Sequence, residues 1–411
     1  MNIEFYKRCT IYEVNLRQYS SKGDIPSFIN HIPRLSEMGV DVIWLMPIHP
    51  IGIMNRKGEL GSPYSIMDFN EIHTDYGTKE DFKNLVETVH SYGMKIIMDW
   101  VANHTSWDHV WTLSNPEFYV RDENGKFIAP YDWTDVIQIN HDNPFAHEVM
   151  IESMLYWVQN FNIDGFRADM AHLTPLHFWK KAKREIELIK SDLIWLGETE
   201  NENYYEVFDV IYAWRWMHKS KEFINNEISK RDFLDFLKLD TKNLQLYFTS
   251  NHDENSWNGT EFEKYGRYAK AMSVFTFFYP YAVPLIYSGQ EIPNENRLSF
   301  FEKDVIDWNK PWHLFDFYKT LCALRKLLPI FSKIEFIDTE KKAISFKAHE
   351  GNQFILVFLN FEVDKINYEY QLSSNENGEY VDLFSSEKMI FRNNIKIELK
   401  SGEFLVLRFL Q

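Results

Sequence analysis

Eight short apolar runs, each followed by a longer amphipathic stretch, limit this chain to few folds. The runs lie at residues 11–16, 42–45, 95–98, 165–168, 194–196, 210–212, 246–249 and 284–287. They are rich in β-branched and aromatic residues and too short for helices, as strands buried on both faces should be. Between them, helical spacing of apolar residues marks stretches such as 25–38, 78–92, 144–161, 175–190, 262–279 and 315–328. Thr78, with Asp81 three residues on, reads as a helix N-cap. Eight alternations of strand and helix predict an α/β fold, a (β/α)8 TIM barrel.

The pattern changes after Pro329. From Ile337 the chain alternates apolar and polar residues in short runs at 343–348, 353–360, 380–384, 395–399 and 404–409. Turn signals separate them, which predicts a C-terminal all-β sandwich. One connection inside the barrel is also too long. The stretch between Asp99 and Pro144 far exceeds the ~12–15 residues of an ordinary loop. It carries Trp107, Trp111, Tyr119, Tyr131 and Trp133, and reads as a short protruding subdomain forming one wall of a cleft. The expected organisation is a barrel over 1–103 and 144–332, the subdomain over 104–143 and the β-sandwich over 333–411.

Composition narrows the function. The net charge of −16 argues against nucleic acid, whose binders need basic stripes, and against an anionic membrane surface. No apolar run reaches the ~18 residues of a spanning helix. The first twenty residues lack the apolar core of a secretion signal, so the expected location is the cytoplasm. The two cysteines, Cys9 and Cys322, exclude a disulfide scaffold and a Cys-based zinc site, and read as buried free thiols. Aromatic residues make up 17% of the chain. Most must be core, and some are available to stack on flat, weakly polar ligands such as sugar rings.

In a barrel the working residues sit at the C-terminal ends of the strands. Those ends carry Asp99 with Asn103 and His104, then Asp169 with Arg167, then Glu198, then His252 and Asp253. Four carboxylates, one arginine and two histidines on one rim exceed what solvation of strand ends requires. Glycoside cleavage with retention needs a nucleophilic carboxylate and an acid/base carboxyl about 5–5.5 Å apart. Neighbouring strands are ~4.8 Å apart, so Asp169 and Glu198 suit that pair. Arg167, two residues before Asp169, shares its face and favours the ionised nucleophile. Crowding of Glu198 by Asp169 and Asp253 would favour its proton. Asp253 would stabilise a cationic transition state, and His104 and His252 would donate to sugar hydroxyls.

At these residues the sequence resembles the α-amylase family, glycoside hydrolase family 13. DWVANH at 99–104, GFRAD at 165–169, Gly197 with Glu198, and SNHD at 250–253 resemble its four signatures in order. The GSPY turn ending on Tyr64, the strand-eight segment 284–291 and IQIN at 137–140 resemble supporting segments. The resemblance implies Asp169 as nucleophile, Glu198 as acid/base, Asp253 as transition-state stabiliser, and Tyr64, Asp99, His104, Arg167 and His252 in substrate binding. Glu200 is a nearby competitor to Glu198. The family's structural calcium implies ligands at Asn103 and at the carbonyl of His172. The implied substrate is an α-1,4-glucan such as starch or maltodextrin. The alternatives are an α-glucosidase or α-glucanotransferase of the same family, or a non-catalytic carbohydrate-binding barrel. Oligomeric state is left open.

Overall fold

The computed structural model describes residues 3–239, 243–337 and 341–410. Ten strands come first in the chain: β1 (Ile11–Val14), β2 (Val42–Leu45), β3 (Lys95–Val101), β4 (His104–Ser106), β5 (Val136–Gln138), β6 (Gly165–Asp169), β7 (Ile194–Gly197), β8 (Val210–Tyr212), β9 (Gln245–Tyr247) and β10 (Ala282–Tyr287). Eight of them close a barrel in the order β1-β2-β3-β6-β7-β8-β9-β10. Each of these strands therefore pairs with its predecessor in the barrel, as right-handed βα units require. β4 and β5 stand apart as an antiparallel pair in the long connection after β3, with His104 opposite Gln138.

By contacts the chain divides into two compact units. The first contains Ile11–Tyr212 and Ile286–His313. Here β6 and β7 run parallel, with Ala168 opposite Gly197. Their approach depends on Gly165, whose φ is +150°: a Cβ there would meet Ile194 O at 2.1 Å. Only glycine lets these backbones lie this close. The helix Lys79–Ser91 opens with a complete capping box from Thr78 and Asp81. The expected helix over 25–38 is instead two short helices, Ile25–Ile29 and Ile32–Met38. Pro33 lacks the N–H that would continue the first, and it sits in the first turn of the second, where that donor is not needed.

The second unit contains Glu4–Thr10, Ala213–Leu285 and Leu314–Gln411. The expected helix over 262–279 is broken at Gly266, in a left-handed conformation at φ +53°, into Glu261–Tyr265 and Ala269–Phe278. Arg325, on the helix Phe315–Leu327, donates to the carbonyls of Tyr6, Cys9, Phe277 and Ala282. It satisfies backbone oxygens that would otherwise be costly to bury.

The chain then forms β11 (Lys333–Ile337), β12 (Ala343–Glu350), β13 (Gln353–Asn360), β14 (Ile366–Gln371), β15 (Gly378–Asp382), β16 (Lys388–Phe391), β17 (Asn394–Leu399) and β18 (Phe404–Phe409). Six make one sheet, in the order β11-β12-β13-β18-β15-β16, and β14 pairs with β17 in another. Residues from both sheets, among them Leu356, Phe358, Tyr368, Tyr380 and Ile395, share one buried core. The sequence reading passed over β14, although Ile-Asn-Tyr-Glu-Tyr-Gln alternates apolar and polar residues, and β16, whose Lys-Met-Ile-Phe carries little alternation. Both cysteines are buried free thiols. Among the described residues no helix is long and apolar enough to cross a membrane.

Candidate active site

Arg167 is the centre of the rim in the first unit. It lies in β6 and is fully buried. Its Nη1 is 2.8 Å from Asp99 Oδ1 and 3.1 Å from Asp169 Oδ1. Its Nη2 is 2.7 Å from Glu198 Oε2, a Coulombic contact rather than an aligned hydrogen bond. Nε donates to Tyr212 Oη at 3.1 Å. The guanidinium also lies over the rings of Trp44, Tyr64 and Tyr212, at 5.0, 5.8 and 5.4 Å from their centres. Burial works against its charge, but Asp99 and Glu198 outweigh that and raise its pKa well above the ordinary arginine value. One fixed cation thus serves three carboxylates.

Asp169 is the last residue of β6, and Glu198 directly follows β7. The β6–β7 register places them one step beyond the pair Ala168 and Gly197. Glu198 N donates to Ala168 O at 3.0 Å, and Ala171 N donates to Glu198 O at 3.0 Å. Glu198 Oε2 accepts Met170 N at 2.8 Å. Met170 stands in the left-handed region at φ +40°, a strained place for a side chain of that size. That backbone aims its N–H at Glu198. Oε1 of Glu198 makes no hydrogen bond among the described residues. Asp169 and Glu198 are only 6% and 5% exposed, whereas Glu200 is exposed. Burial and strand position favour Glu198 over its competitor.

Asp99 departs from the sequence expectation. It is 0% exposed, and its Oδ1 is taken by Arg167. Its Oδ2 accepts Trp44 Nε1 at 3.2 Å and Tyr64 Oη at 3.0 Å. β3 runs on to Val101, so Asp99 lies within the strand rather than at its tip. It is an anchor for Arg167 and Tyr64, with no face left for a sugar. Arg167, at 0% exposed, likewise acts through its neighbours. Tyr64 stacks on Phe300 at 6.0 Å and 13° between planes. His104 is buried, and its Nδ1 lies 3.3 Å from Asn103 Nδ2. Burial pushes its pKa down to about 4, so it is neutral at pH 7 and can both donate and accept.

The aromatic connection sorts into two groups. Trp111 and Tyr119 are buried core. Trp133 meets the His104 ring edge-on at 5.4 Å, and Tyr131, 72% exposed, meets Trp133 at 5.3 Å. These three rings step outward from the rim into solvent.

Two more predicted residues belong to the second unit. His252 is buried, with Nε2 3.3 Å from Asp253 Oδ2. Asp253 opens a π-helical turn, Glu254–Asn258, beyond the end of β9, and its side chain is one-third exposed. Beneath that turn Lys264 and Glu254 form a buried ion pair at 3.0 Å.

His172 is exposed and its carbonyl accepts Tyr204 Oη at 3.3 Å. Asn103 spends its Nδ2 on His104, and its carbonyl accepts Ile139 N. Among the described residues no three His, Cys, Asp or Glu side chains gather as metal ligands. Calcium takes six to eight oxygens, of which Asn103 would offer its Oδ1 and His172 its carbonyl.

The sequence reading missed Trp44, Tyr212, Phe300 and Met170 as parts of the site. Tyr212 had a usable signal, since it ends β8 on the rim that the other strand ends define. Phe300 had none, because its role is set by the fold of the loop after β10.

Comparison with known proteins agrees with this fold. The family model described as "Alpha amylase, catalytic domain" matches residues 12–138, and "Alpha amylase, C-terminal all-beta domain" matches 334–406. A solved maltogenic α-amylase of Thermotoga neapolitana is 32% identical, with a TM-score of 0.90 covering 98% of this chain and 99% of that one. A solved α-amylase of Lactobacillus plantarum is 26% identical, also with a TM-score of 0.90 and with 98% and 99% coverage. Alpha-amylase 2 of Dictyoglomus thermophilum is 27% identical over 96% of this chain and 72% of its own length.

Proposed function

The chain belongs to the α-amylase family, glycoside hydrolase family 13, and from that premise we propose that it cleaves α-1,4-glucosidic bonds of maltodextrins or starch with retention. That it is a glycoside hydrolase of α-amylase type follows from the family. The linkage, the stereochemistry and the residue roles are our reading.

One observation carries that reading: Arg167 reaches Asp169 and Glu198 at the ends of adjacent strands. In the proposed first step Asp169 attacks the anomeric carbon, and a C–O ester bond forms as the glycosidic C–O bond breaks. The departing oxygen takes the proton of Glu198. In the second step Glu198 removes a proton from water, whose oxygen displaces Asp169 from the anomeric carbon. Arg167 holds Oδ1 of Asp169 and Oε2 of Glu198 in place. Oε1 is then the oxygen available to carry the transferred proton. Asp253 would stabilise the cationic sugar in both transition states. Tyr64, held by Asp99 and Phe300, offers a ring face to the sugar. Neutral His104 hydrogen-bonds its hydroxyls, and His252 does the same. The aromatic step from His104 through Trp133 to Tyr131 supports an oligosaccharide substrate longer than the unit being cut. No step involves calcium.

Asp169→Asn and Glu198→Gln test the assignment. Each should lower turnover of maltoheptaose by 10² or more. Wild-type activity in either variant would remove the proposed roles. NMR of the first products should show the α-anomer, and the β-anomer would exclude retention. Chromatography of the same digest separates mixed oligosaccharides (internal cleavage) from glucose alone (exo action) and from lengthened chains (transfer).

A further inference from the structure

The first unit also holds a cavity of about 380 Å³. Arg17, Lys22, Arg56, Lys303 and His73 line it, and Asp75 is the acidic side chain there. This is an unusual place to find four cations in a chain of net charge −16. Among the described residues none of the four has a carboxylate oxygen within 4.0 Å. Their hydrogen bonds go to backbone carbonyls and, from Arg17, to the Tyr76 hydroxyl. Arg17 Nη1 donates to Gly61 O at 2.9 Å and to Phe300 O at 3.2 Å. Arg56 Nε donates to Gly52 O at 2.7 Å, and its Nη2 to Ile51 O at 3.0 Å. Lys303 Nζ donates to Lys22 O at 2.8 Å. Lys22 Nζ makes no hydrogen bond among the described residues. Carbonyl dipoles orient these cations without cancelling their charge. The Asp75 side chain is 71% exposed and 3.9 Å from His73 Nδ1, so it points its charge into solvent.

We propose that this cavity is a binding site for a phosphate group, either the free ion or a phosphate borne by a sugar. The forks of Arg17 and Arg56 are engaged with backbone carbonyls, those of Leu60 and Glu59 included, so they supply charge, and the two ammonium groups supply the donors that a dianion with several acceptor oxygens needs. The volume lies within the range of small-ligand sites. His73 senses the same field. Burial, with Arg17 and Arg56, lowers its pKa from the ordinary value against the pull of Asp75. The wall is also shared with the rim. Arg17 holds the carbonyls of Gly61 and Phe300, and Tyr64, three residues after Gly61, stacks on that same Phe300. An anion that ordered Arg17 would steady the loop that presents Tyr64.

The test is ³¹P NMR of inorganic phosphate and, separately, of glucose 1-phosphate, each titrated with the whole protein at fixed ionic strength. Saturable line broadening is the expected result. Similar affinity for both probes assigns the site to the free ion, and at least tenfold tighter binding of glucose 1-phosphate assigns it to a sugar phosphate. The double variant Lys22→Gln/Lys303→Gln changes exposed side chains and should weaken either probe at least tenfold. Asp75→Asn removes the opposing charge and should tighten binding about threefold. Absence of saturable broadening with both probes overturns the proposal, as does unchanged affinity in the double variant. The readout is binding, so it stands or falls separately from the hydrolytic assignment.

Discussion

Replacing Arg167 by Met is the most informative single change. The wild-type guanidinium contacts Asp99 at 2.8 Å, Asp169 at 3.1 Å and Glu198 at 2.7 Å, all buried. Removing one partner of a buried pair costs about 3–5 kcal/mol, because the remaining charge is left without compensation. Here three carboxylates lose the same cation, so the loss at pH 7 should reach at least the upper part of that range. Catalysis is the sharper signal. With Asp169 Oδ1 and Glu198 Oε2 no longer held, kcat on maltoheptaose should fall by about 10² or more while KM changes less. Arg167→Lys keeps the charge but loses the fork, so it should reach fewer of the three acids and recover only part of both losses. Thermal melts and steady-state kinetics measure the two effects. A melting temperature and a kcat both near wild type would refute the claim that one cation organises this rim.

The remaining predictions concern histidines, aromatics and calcium. His49 and His104 are fully buried with pKa values pushed down to about 4 from an ordinary 6.5. The unfolded chain therefore takes up protons below pH 6.5 that the folded chain refuses, so stability is full above 6.5 and falls towards 4. At pH 5 each should cost about 2 kcal/mol, and His49→Leu should flatten the slope of melting temperature against pH in that window. Trp133→Ala should raise KM for maltoheptaose by about three- to tenfold, from loss of an aromatic contact of about 0.5–1.5 kcal/mol, with a smaller effect on a trisaccharide. Steady-state kinetics on the two substrates check this. Calorimetry with EDTA and then with added calcium tests Asn103 and His172 as calcium ligands: a calcium-reversible drop in melting temperature, lost in Asn103→Ala, assigns them, and an unchanged melting temperature removes them.

Much of the architecture is local and therefore readable from the chain. A buried parallel strand must be a short apolar run, and a helix covering it must repeat every 3.6 residues. Thr78 and Asp81 make their capping box within four residues, with no distant partner. Asp169 and Glu198 end strands because polar residues first become tolerable where the buried run stops. The chain fell short where one local pattern fits two fates. Trp111 and Tyr131 look alike in composition, yet one is core and the other is 72% exposed. The amphipathic spacing of 25–38 and 262–279 concealed the breaks that Pro33 and Gly266 impose.

The order of residues alone dictated a strand-and-helix barrel with acids on its rim, because burial pattern and turn chemistry act over a few positions. Partnership was decided by folding. Asp99, Asp169 and Glu198 are far apart along the chain and come to one guanidinium only when β3, β6 and β7 lie side by side. Closure of the barrel turned Asp99 from a candidate sugar contact into an internal anchor. It likewise gathered Arg17 from a short helix and Arg56 and Lys303 from two loops around one cavity. Electrostatic interaction depends on distance in space and on the exclusion of water, and neither is a property of sequence separation.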